Sequence, residues 1–408
     1  MEAQQQIHSL TGFRFMAALM VLVGHSATVL PQWWLTRMLL GLAPTGMILF
    51  FVLSGFVIWL NYAESIVARR PGALRDFAVA RFARLYPMYV VILVLAFMLT
   101  GIIHGGAAVM DAFPGAFAMF FALQAWVPTD LVDNRLLIFS IPYTGHLWSI
   151  STELFFYACF PMIVALLSRF HSKASILIVA MINILALGLV FHLCMINLHP
   201  LTMLFAPSLP ETDSTMWLTY YAPYMRIFQF LAGCIVCQLY LSLLSHVPGR
   251  METNIVRILA LAALLGVIGT VILFSISLPP KWYSILAVLS QVAPVAAVSF
   301  LMLYVARYRS KLRRLLSLPK MLALGDASYS IYLWHPFLIE AVRNATLGIL
   351  LSWGIAGHLT FIGLVVGSVV LFSLVTYHFV EAPARRFLRR GFHVNSNAAV
   401  MDLHTAKT

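Results

Sequence analysis

The chain has 408 residues, of which 62% are hydrophobic and only 10% are charged, and its formal net charge is +12. This apolar share, with a mean hydropathy of +0.92, exceeds what a water-soluble core can bury and excludes an ordinary soluble globular protein. The basic residues are dispersed among separate loops, so the positive charge does not indicate a partner that is a nucleic acid.

Long apolar runs recur along the chain and predict an all-α polytopic membrane protein with about ten transmembrane helices. The predicted spans are 10–30, 43–62, 85–104, 146–168, 174–196, 218–244, 255–277, 283–306, 321–342 and 355–380. A shorter run at 113–127 contains Pro114 and is interpreted as re-entrant or interfacial. We assign residues 1–390 to one transmembrane domain and residues 391–408 to a disordered cytoplasmic tail.

The distribution of Lys and Arg predicts the orientation of these spans. With the N-terminus inside, most of the 26 basic residues fall in cytoplasmic segments, above all 69–84, 307–320 and 385–390. Cytoplasmic loops of membrane proteins carry such an excess. We therefore expect both termini in the cytoplasm and a multi-pass location in the cell membrane, which is the inner membrane if the source is Gram-negative.

The first span, "RFMAALMVLVGH", carries an arginine and a histidine in an otherwise apolar stretch. Arg14 and His25 are separated by about three helical turns, so both side chains share one face, about 16.5 Å apart along the axis. An ionisable residue inside a span is costly and is therefore a hypothesis of function.

The fourth span begins "HLWSISTELFFY", which places His146, Ser149 and Glu153 on one helix face. Counting from the outer end, we expect Glu153 at a depth similar to that of His25. A carboxylate that orients an imidazole makes a general base able to take a proton from a hydroxyl. A structural polar network between helices is the alternative. His146 either caps this helix or lines the entrance to a site.

Two further ionisable residues, Arg226 and His335, map to the outer half of the sixth and ninth spans. We expect them to converge with His25 and Glu153 on a shared polar cavity, because isolated charges there would be very unfavourable. Arg226 is either a direct participant or the counter-ion of Glu153.

Two motifs have a plain structural alternative. Arg81 and Arg84 share a face in the basic segment "RRPGALRDFAVARFARLYP", where they either bind phosphate or serve only as topological charge. The CxxC of Cys234 and Cys237 is interpreted as packing, and no metal site is predicted. Gly55, in the middle of the second span, is expected to let another helix approach closely.

Five segments occur together in a characteristic order: "SLTGFRFMAALMVLVGHS", "LFFVLSGFVIWL", "HLWSISTELFFY", "GDASYSIYLWHP" and "FVEAPARRFLRR". This order resembles that of the acyltransferase 3 family of membrane O-acyltransferases, over residues 9–390. Arg14 and His25 match the family's Arg-x10-His pattern, and Arg81 and Arg84 match a second one. Many members have two adjacent acids in the fourth span, whereas Leu154 follows Glu153 here.

The resemblance implies transfer of an acyl group, usually acetyl, from cytoplasmic acyl-CoA to a hydroxyl of a carbohydrate, glycan or glycolipid acceptor. Acyl-CoA is then a co-substrate, with no tightly bound cofactor. Its phosphates would bind Arg14, Arg81 and Arg84, and His25 would act as base or carry the acyl group itself. Glu153 would orient the imidazole, with His146, Arg226 and His335 in support. The loop 105–145 would roof the acceptor site, and a stand-alone member without an esterase-like domain is expected.

Two other classes remain open at this stage. A proton-coupled secondary transporter could use His25 and Glu153, although the chain lacks the internal repeats common in such proteins. A non-enzymatic lipid-binding or scaffold subunit would explain the apolar spans but not the ionisable residues within them. The sequence leaves the acceptor, the acyl chain length and the oligomeric state undetermined.

Overall fold

The computed structural model describes residues 8–128, 136–205, 209–273 and 283–392, and every regular element in these ranges is a helix. The helices are α1 His8–Ser26, α2 Trp34–Leu40, α3 Leu42–Val67, α4 Ala73–Phe120, α5 Trp148–Leu167, α6 Lys173–Ile196, α7 Leu198–Phe205, α8 Glu211–Met216, α9 Pro223–Ser242, α10 Arg250–Leu273, α11 Tyr283–Arg307, α12 Lys311–Leu316, α13 Pro319–Asp326, α14 Ser328–Leu350, α15 Gly354–Thr376 and α16 Ala382–Gly391. The all-α prediction is confirmed. Almost all of the predicted tail, residues 393–408, lies outside the described residues.

Nine helical runs in the described ranges are long and apolar enough to cross a membrane. The last of them, Ser328–Gly391, contains two helices of 23 residues each, α14 and α15, which pack against each other. The chain reverses between them at Gly354, which has a φ of +60°. Since each helix is long enough to span a bilayer, the described helices agree with the prediction of about ten spans.

Helix α4 is the longest element, and it reverses direction at Gly105. This glycine has φ 85° and ψ 176°, a conformation that residues with a Cβ rarely adopt. The hydroxyl of Tyr86 donates to the carbonyl of Phe120 at 2.6 Å, although a straight helix would separate these residues by about 50 Å. The segment 106–120 therefore folds back beside the first half of α4, in keeping with the re-entrant interpretation of the run near Pro114.

Helices α3 and α9 approach each other closely through two glycines. A Cβ on Gly55 would clash with the carbonyl oxygen of Phe230, and a Cβ on Gly233 would clash with that of Val52. The thiol of Cys234 donates to the carbonyl of Gly55 at 3.5 Å. The interpretation of Gly55 and of this cysteine as packing residues agrees with these contacts.

Helix α1 packs against α3, α11, α12, α13, α14 and α15, so its residues reach several neighbours. The carbonyl of Leu316 in α12 lies against Gly12, which places the basic segment 307–320 beside the start of α1. At the other end of the chain, Arg75 donates to the carbonyl of Phe392 at 2.6 Å. Arg14 of α1 and Arg81 of α4 line one cavity, which places the starts of these two helices together. The segment 307–320, the start of α4 and the end of the described chain thus lie on one side of the bundle, here called the basic face.

Candidate functional site

His25 and His335 form a direct pair, although they are 310 positions apart in the chain. Nδ1 of His25 lies 2.8 Å from Nε2 of His335, and the two rings are nearly parallel, at an angle of 4°. His335 is 1% exposed, whereas the ring of His25 is partly accessible and lines a cavity of about 390 Å³. We call this cavity the histidine cavity.

The backbone fixes which nitrogens of this pair carry hydrogen. Nδ1 of His335 lies 2.6 Å from the carbonyl oxygen of Tyr332, which can only accept, so Nδ1 carries the hydrogen. In the neutral ring Nε2 of His335 then accepts, and it receives the Nδ1–H of His25. The lone pair of His25 is therefore on Nε2. This nitrogen has no hydrogen-bond partner within the described residues, and it is available to a substrate.

A tyrosine connects this pair to the start of α5. The hydroxyl of Tyr332 donates to the carbonyl of His146 at 2.6 Å, and the hydroxyl of Ser149 lies 2.6 Å from the same tyrosine oxygen. The hydroxyl of Ser149 also donates to the carbonyl of His146, at 3.3 Å, so the two hydroxyls and this carbonyl form one hydrogen-bonded group. His146 lines the histidine cavity, with its ring 5.2 Å from that of His335, and makes no capping hydrogen bond to α5. The structure thus favours the lining alternative over the capping one.

Arg14, Arg81 and Arg84 line a second, narrower cavity, here called the arginine cavity, with a volume of about 70 Å³. Arg81 also donates to the hydroxyl of Tyr62 at 3.2 Å and lies over its ring. The rest of the wall mixes apolar side chains such as Phe50 with small polar ones. The three arginines that the resemblance assigned to one ligand therefore line one cavity.

Glu153 also lines the arginine cavity, and this corrects the expectation that it orients His25. Its carboxylate accepts a hydrogen bond from the hydroxyl of Tyr157 at 2.9 Å. The positive charges of Arg14, Arg81 and Arg84 attract this carboxylate. The imidazole partner of His25 is His335 instead. Glu153 does not share the depth of His25, because His146, just before α5, already lies beside His335, and Glu153 is about 10 Å further along the helix axis.

Arg226 is buried behind the aromatic wall of the histidine cavity. Its Nε donates to the carbonyl of Tyr220 at 2.7 Å and one terminal nitrogen donates to Gln291 at 3.2 Å. The guanidinium lies over the rings of Tyr220 and Trp148, at 4.6 and 5.9 Å from their centroids. None of its hydrogen bonds within the described residues goes to Glu153, so the counter-ion alternative was wrong.

The two cavities adjoin, because Met47 and Tyr332 line both of them. The arginine cavity contains Arg14 and the histidine cavity contains His25, two residues that share a face of α1. The three arginines and the histidine pair thus line two adjoining cavities of the bundle.

Comparison with known proteins shows the family of this chain. Residues 7–378 match the model of a family described as an acyltransferase domain. The chain belongs to the acyltransferase 3 family. No solved structure matches the chain.

Relatives of this family member include two proteins of Staphylococcus aureus. O-acetyltransferase OatA of strain NCTC 8325 is 23% identical over 401 residues, covering 95% of this chain and 58% of the relative. A putative O-acetyltransferase of strain COL is 24% identical over 388 residues, covering 93% of this chain and 57% of the relative. The chain thus spans less than two thirds of the length of these curated relatives.

Several residues of this family member's site were missed by sequence reasoning. The histidine cavity is lined largely by aromatic side chains, namely Phe139, Tyr143, Trp148, Tyr220, Tyr221 and Tyr332. Of these residues, Tyr332 could have been predicted from the sequence, because it precedes His335 by three positions and therefore lies on the same helix face. Phe139 and Tyr143 come from the segment that was expected to roof the acceptor site.

Proposed function

We propose that this protein is a membrane O-acyltransferase that moves an acyl group, most simply acetyl, from acyl-CoA to a hydroxyl of a carbohydrate acceptor. The observation that carries the proposal is the histidine pair, whose free Nε2 faces a cavity that adjoins a three-arginine cavity. Membership of the acyltransferase family and similarity to O-acetyltransferases of Staphylococcus aureus support the same class of reaction.

The arginine cavity is the proposed donor site. Guanidinium groups bind phosphate oxygens through paired, charge-assisted hydrogen bonds, and Arg14, Arg81 and Arg84 supply three of them. The apolar part of the wall suits the extended arm that carries the thioester. At about 70 Å³ this cavity must widen to admit that arm. The carboxylate of Glu153 balances part of the arginine charge and leaves the remainder to the donor.

The histidine cavity is the proposed acceptor site. Aromatic side chains present flat apolar faces with polar edges, which suit the faces and hydroxyls of a sugar ring. Trp148, Tyr220 and Tyr221 pack with ring centroids between 5.1 and 5.4 Å apart and form one such wall. The guanidinium of Arg226 packs over the rings of Trp148 and Tyr220 and so supports this wall.

In the proposed reaction, Nε2 of His25 takes the proton of the acceptor hydroxyl as its oxygen attacks the thioester carbonyl. His335 accepts the Nδ1–H of His25 and so holds the imidazole in the tautomer that can act as a base. An ester bond forms and the carbon–sulfur bond breaks. The proton on His25 then passes to the departing thiolate, which leaves as the thiol of coenzyme A.

Transfer of labelled acetyl tests this proposal. The purified protein in lipid vesicles receives acetyl-CoA labelled in the acetyl group together with extracted cell-envelope glycans. Wild type, His25→Ala and His378→Ala are compared, since His378 is an exposed histidine outside both cavities. Loss of a general base lowers the rate by about 10²- to 10⁴-fold, so label is expected on the glycan with wild type and His378→Ala only.

Two results would count against the proposal. Equal labelling by His25→Ala would remove this residue from catalysis. Acetyl-CoA that fails to raise the thermal stability of the wild type would argue against a donor site and for the transporter alternative, which needs no acyl donor.

A further inference from the structure

A second basic cavity lies on the basic face, away from the arginine cavity. Its volume is about 470 Å³. Five cationic side chains and two serines line it, and the cations are Arg257, Arg309, Lys311, Arg313 and Arg314. No carboxylate lines it, and none forms an ion pair with these five side chains in the part of the chain that the structure describes. We call it the lateral basic cavity.

The backbone around this cavity is held by local hydrogen bonds. The hydroxyl of Ser310 accepts from the backbone N–H of Arg313 at 3.0 Å, and the hydroxyl of Ser317 donates to the Arg313 carbonyl at 2.8 Å. Leu316 is 1% exposed and its backbone lies against Gly12 of α1. The cations are thus presented from a short segment that is anchored to the bundle.

Two of these cations, Arg309 and Arg313, are close enough to repel each other. Burial lowers the pKa of Arg313, and the neighbouring charge of Arg309 lowers it further. Arg257 approaches from a different helix, α10, and has only a weak hydrogen bond, of 3.4 Å, to Asn254. Gathering like charges around one cavity is unfavourable unless an anion occupies it.

An exposed apolar stripe begins at this cavity and runs along α10. Leu261, Leu264 and Ile268 follow Arg257 at i+4, i+7 and i+11, which places all four on one helix face. The three apolar side chains are 57%, 44% and 46% exposed. In a helix long and apolar enough to cross a membrane, such a face contacts lipid chains.

We propose that the lateral basic cavity binds the phosphate headgroup of an anionic phospholipid, whose acyl chains lie along the stripe Leu261, Leu264 and Ile268. Arginine binds phosphate oxygens in pairs, and basic pockets between transmembrane helices suit anionic headgroups. The nucleotide of acyl-CoA is a poorer fit, because this cavity shares no lining residue with the arginine cavity and opens beside an apolar face. The inference does not depend on the proposed enzymatic function.

Lipid-dependent thermal stability tests this site. The purified protein in neutral detergent is titrated with dioleoylphosphatidylglycerol, with dioleoylphosphatidylcholine, and with inorganic phosphate. Apparent affinities are taken from the rise of the unfolding midpoint with ligand concentration. Arg309→Gln/Arg314→Gln removes two charges from the cavity, and Arg389→Gln/Arg390→Gln removes two charges elsewhere on the basic face.

Each Lys or Arg near an anionic lipid surface contributes about fivefold to binding. Arg309→Gln/Arg314→Gln is therefore expected to weaken phosphatidylglycerol binding by about 30-fold, and Arg257→Gln alone by about fivefold. Arg389→Gln/Arg390→Gln is expected to bind phosphatidylglycerol as the wild type does. Elution of each variant as the folded species in size-exclusion chromatography checks that the substitutions leave the fold intact.

Three outcomes would overturn the inference. Equal stabilisation by phosphatidylcholine would mean that headgroup charge is not recognised. Equal stabilisation by inorganic phosphate would mean that the stripe on α10 adds nothing. An equal loss in Arg389→Gln/Arg390→Gln would mean that only the overall charge of the basic face matters.

Discussion

At the residue scale, the histidine pair depends on a single backbone carbonyl. The carbonyl of Tyr332 requires hydrogen on Nδ1 of His335, and this one requirement sets the tautomer of both rings. Nε2 of His25 therefore carries a lone pair, and no carboxylate takes part in these two hydrogen bonds. His335 thus orients the imidazole of His25, as the sequence pattern had suggested for Glu153.

The first prediction concerns His335. Replacing it with Leu removes the acceptor for the Nδ1–H of His25, whereas Gln keeps a side-chain oxygen that can accept. A hydrogen bond to a group that becomes charged is worth about 1.5–3 kcal/mol, so His335→Leu is expected to lower kcat by about 10- to 100-fold. His335→Gln is expected to recover part of this loss.

The kinetic constants separate this role from a structural one. Because His335 lies outside the arginine cavity, KM for acetyl-CoA is expected to stay unchanged in both variants. A parallel rise of KM, or equal rates for the Leu and Gln variants, would contradict a positioning role.

At the scale of elements, helix contacts in this bundle rely on glycines where two backbones meet. Gly55 on α3 and Gly233 on α9 face the backbone of the opposite helix, and only hydrogen fits at either position. Without a hydrophobic driving force between helices in lipid, such close backbone approach is a main source of association. The same contact positions α3, which contributes Met47 to both cavities.

The second prediction follows from this contact. Gly55→Ala and Gly233→Ala are each expected to reduce the free energy of unfolding by about 1–3 kcal/mol, because the added Cβ forces the backbones of α3 and α9 apart. The midpoint of thermal unfolding in detergent measures the effect. Gly363→Ala is the matched control on α15, since no heavy atom lies within 4 Å of the Cβ that it would add. An equal loss in the control would refute the explanation by close packing.

Gly105 has a different role in α4. It lets the chain reverse direction, whereas Gly55 and Gly233 let the backbone of another helix approach closely. Its positive φ lets segment 106–120 return to Tyr86 and Tyr89, whose hydroxyls donate to carbonyls of Phe120 and Met119. This return brings the following segment toward the start of α5, where Phe139 and Tyr143 line the histidine cavity. One glycine conformation thus helps to build one wall of the proposed acceptor site.

At the scale of the whole molecule, the proposed function depends on the place where the two cavities meet. Helices α1, α3, α5 and α14 each contribute to both the arginine cavity and the histidine cavity. The residues that do so are Arg14 and His25 of α1, Met47 of α3, Ser149 and Trp148 of α5, and Tyr332 of α14. Donor and acceptor would enter from different ends and meet at Met47 and Tyr332. A transfer reaction between the two faces of a bundle requires such a meeting point.

The third prediction tests that meeting point. Met47→Trp places a larger side chain at the boundary and is expected to lower acetyl transfer at least about tenfold, because the reacting atoms are then held apart. Binding of acetyl-CoA through its phosphates, measured by thermal stabilisation, is expected to persist, since the three arginines are untouched and Met47 contacts only the inner end of their cavity, which it shares with the histidine cavity. Met181→Trp is the control, at a methionine of α6 that is 58% exposed. Normal transfer by Met47→Trp would mean that the substrates meet elsewhere.

The order of five motifs along the sequence indicated the family. Hydropathy in the sequence determined the all-α class and the approximate positions of the spans. These follow from local composition, because a bilayer requires each span to be apolar over a fixed length and a helix to satisfy its own backbone. Arg14, His25 and the pair Arg81 and Arg84 were also found from sequence, since they share helix faces over short distances.

Only the tertiary structure decided which ionisable groups meet. His25 and His335 lie on helices that are distant in sequence, so helical periodicity cannot reveal their contact. Glu153 was assigned to the wrong partner because counting residues gives distance along one helix axis and not the offset between two helices. The pairing of side chains across a bundle depends on how helices pack, and here it depends on glycine contacts and chain reversals that act between segments rather than within them.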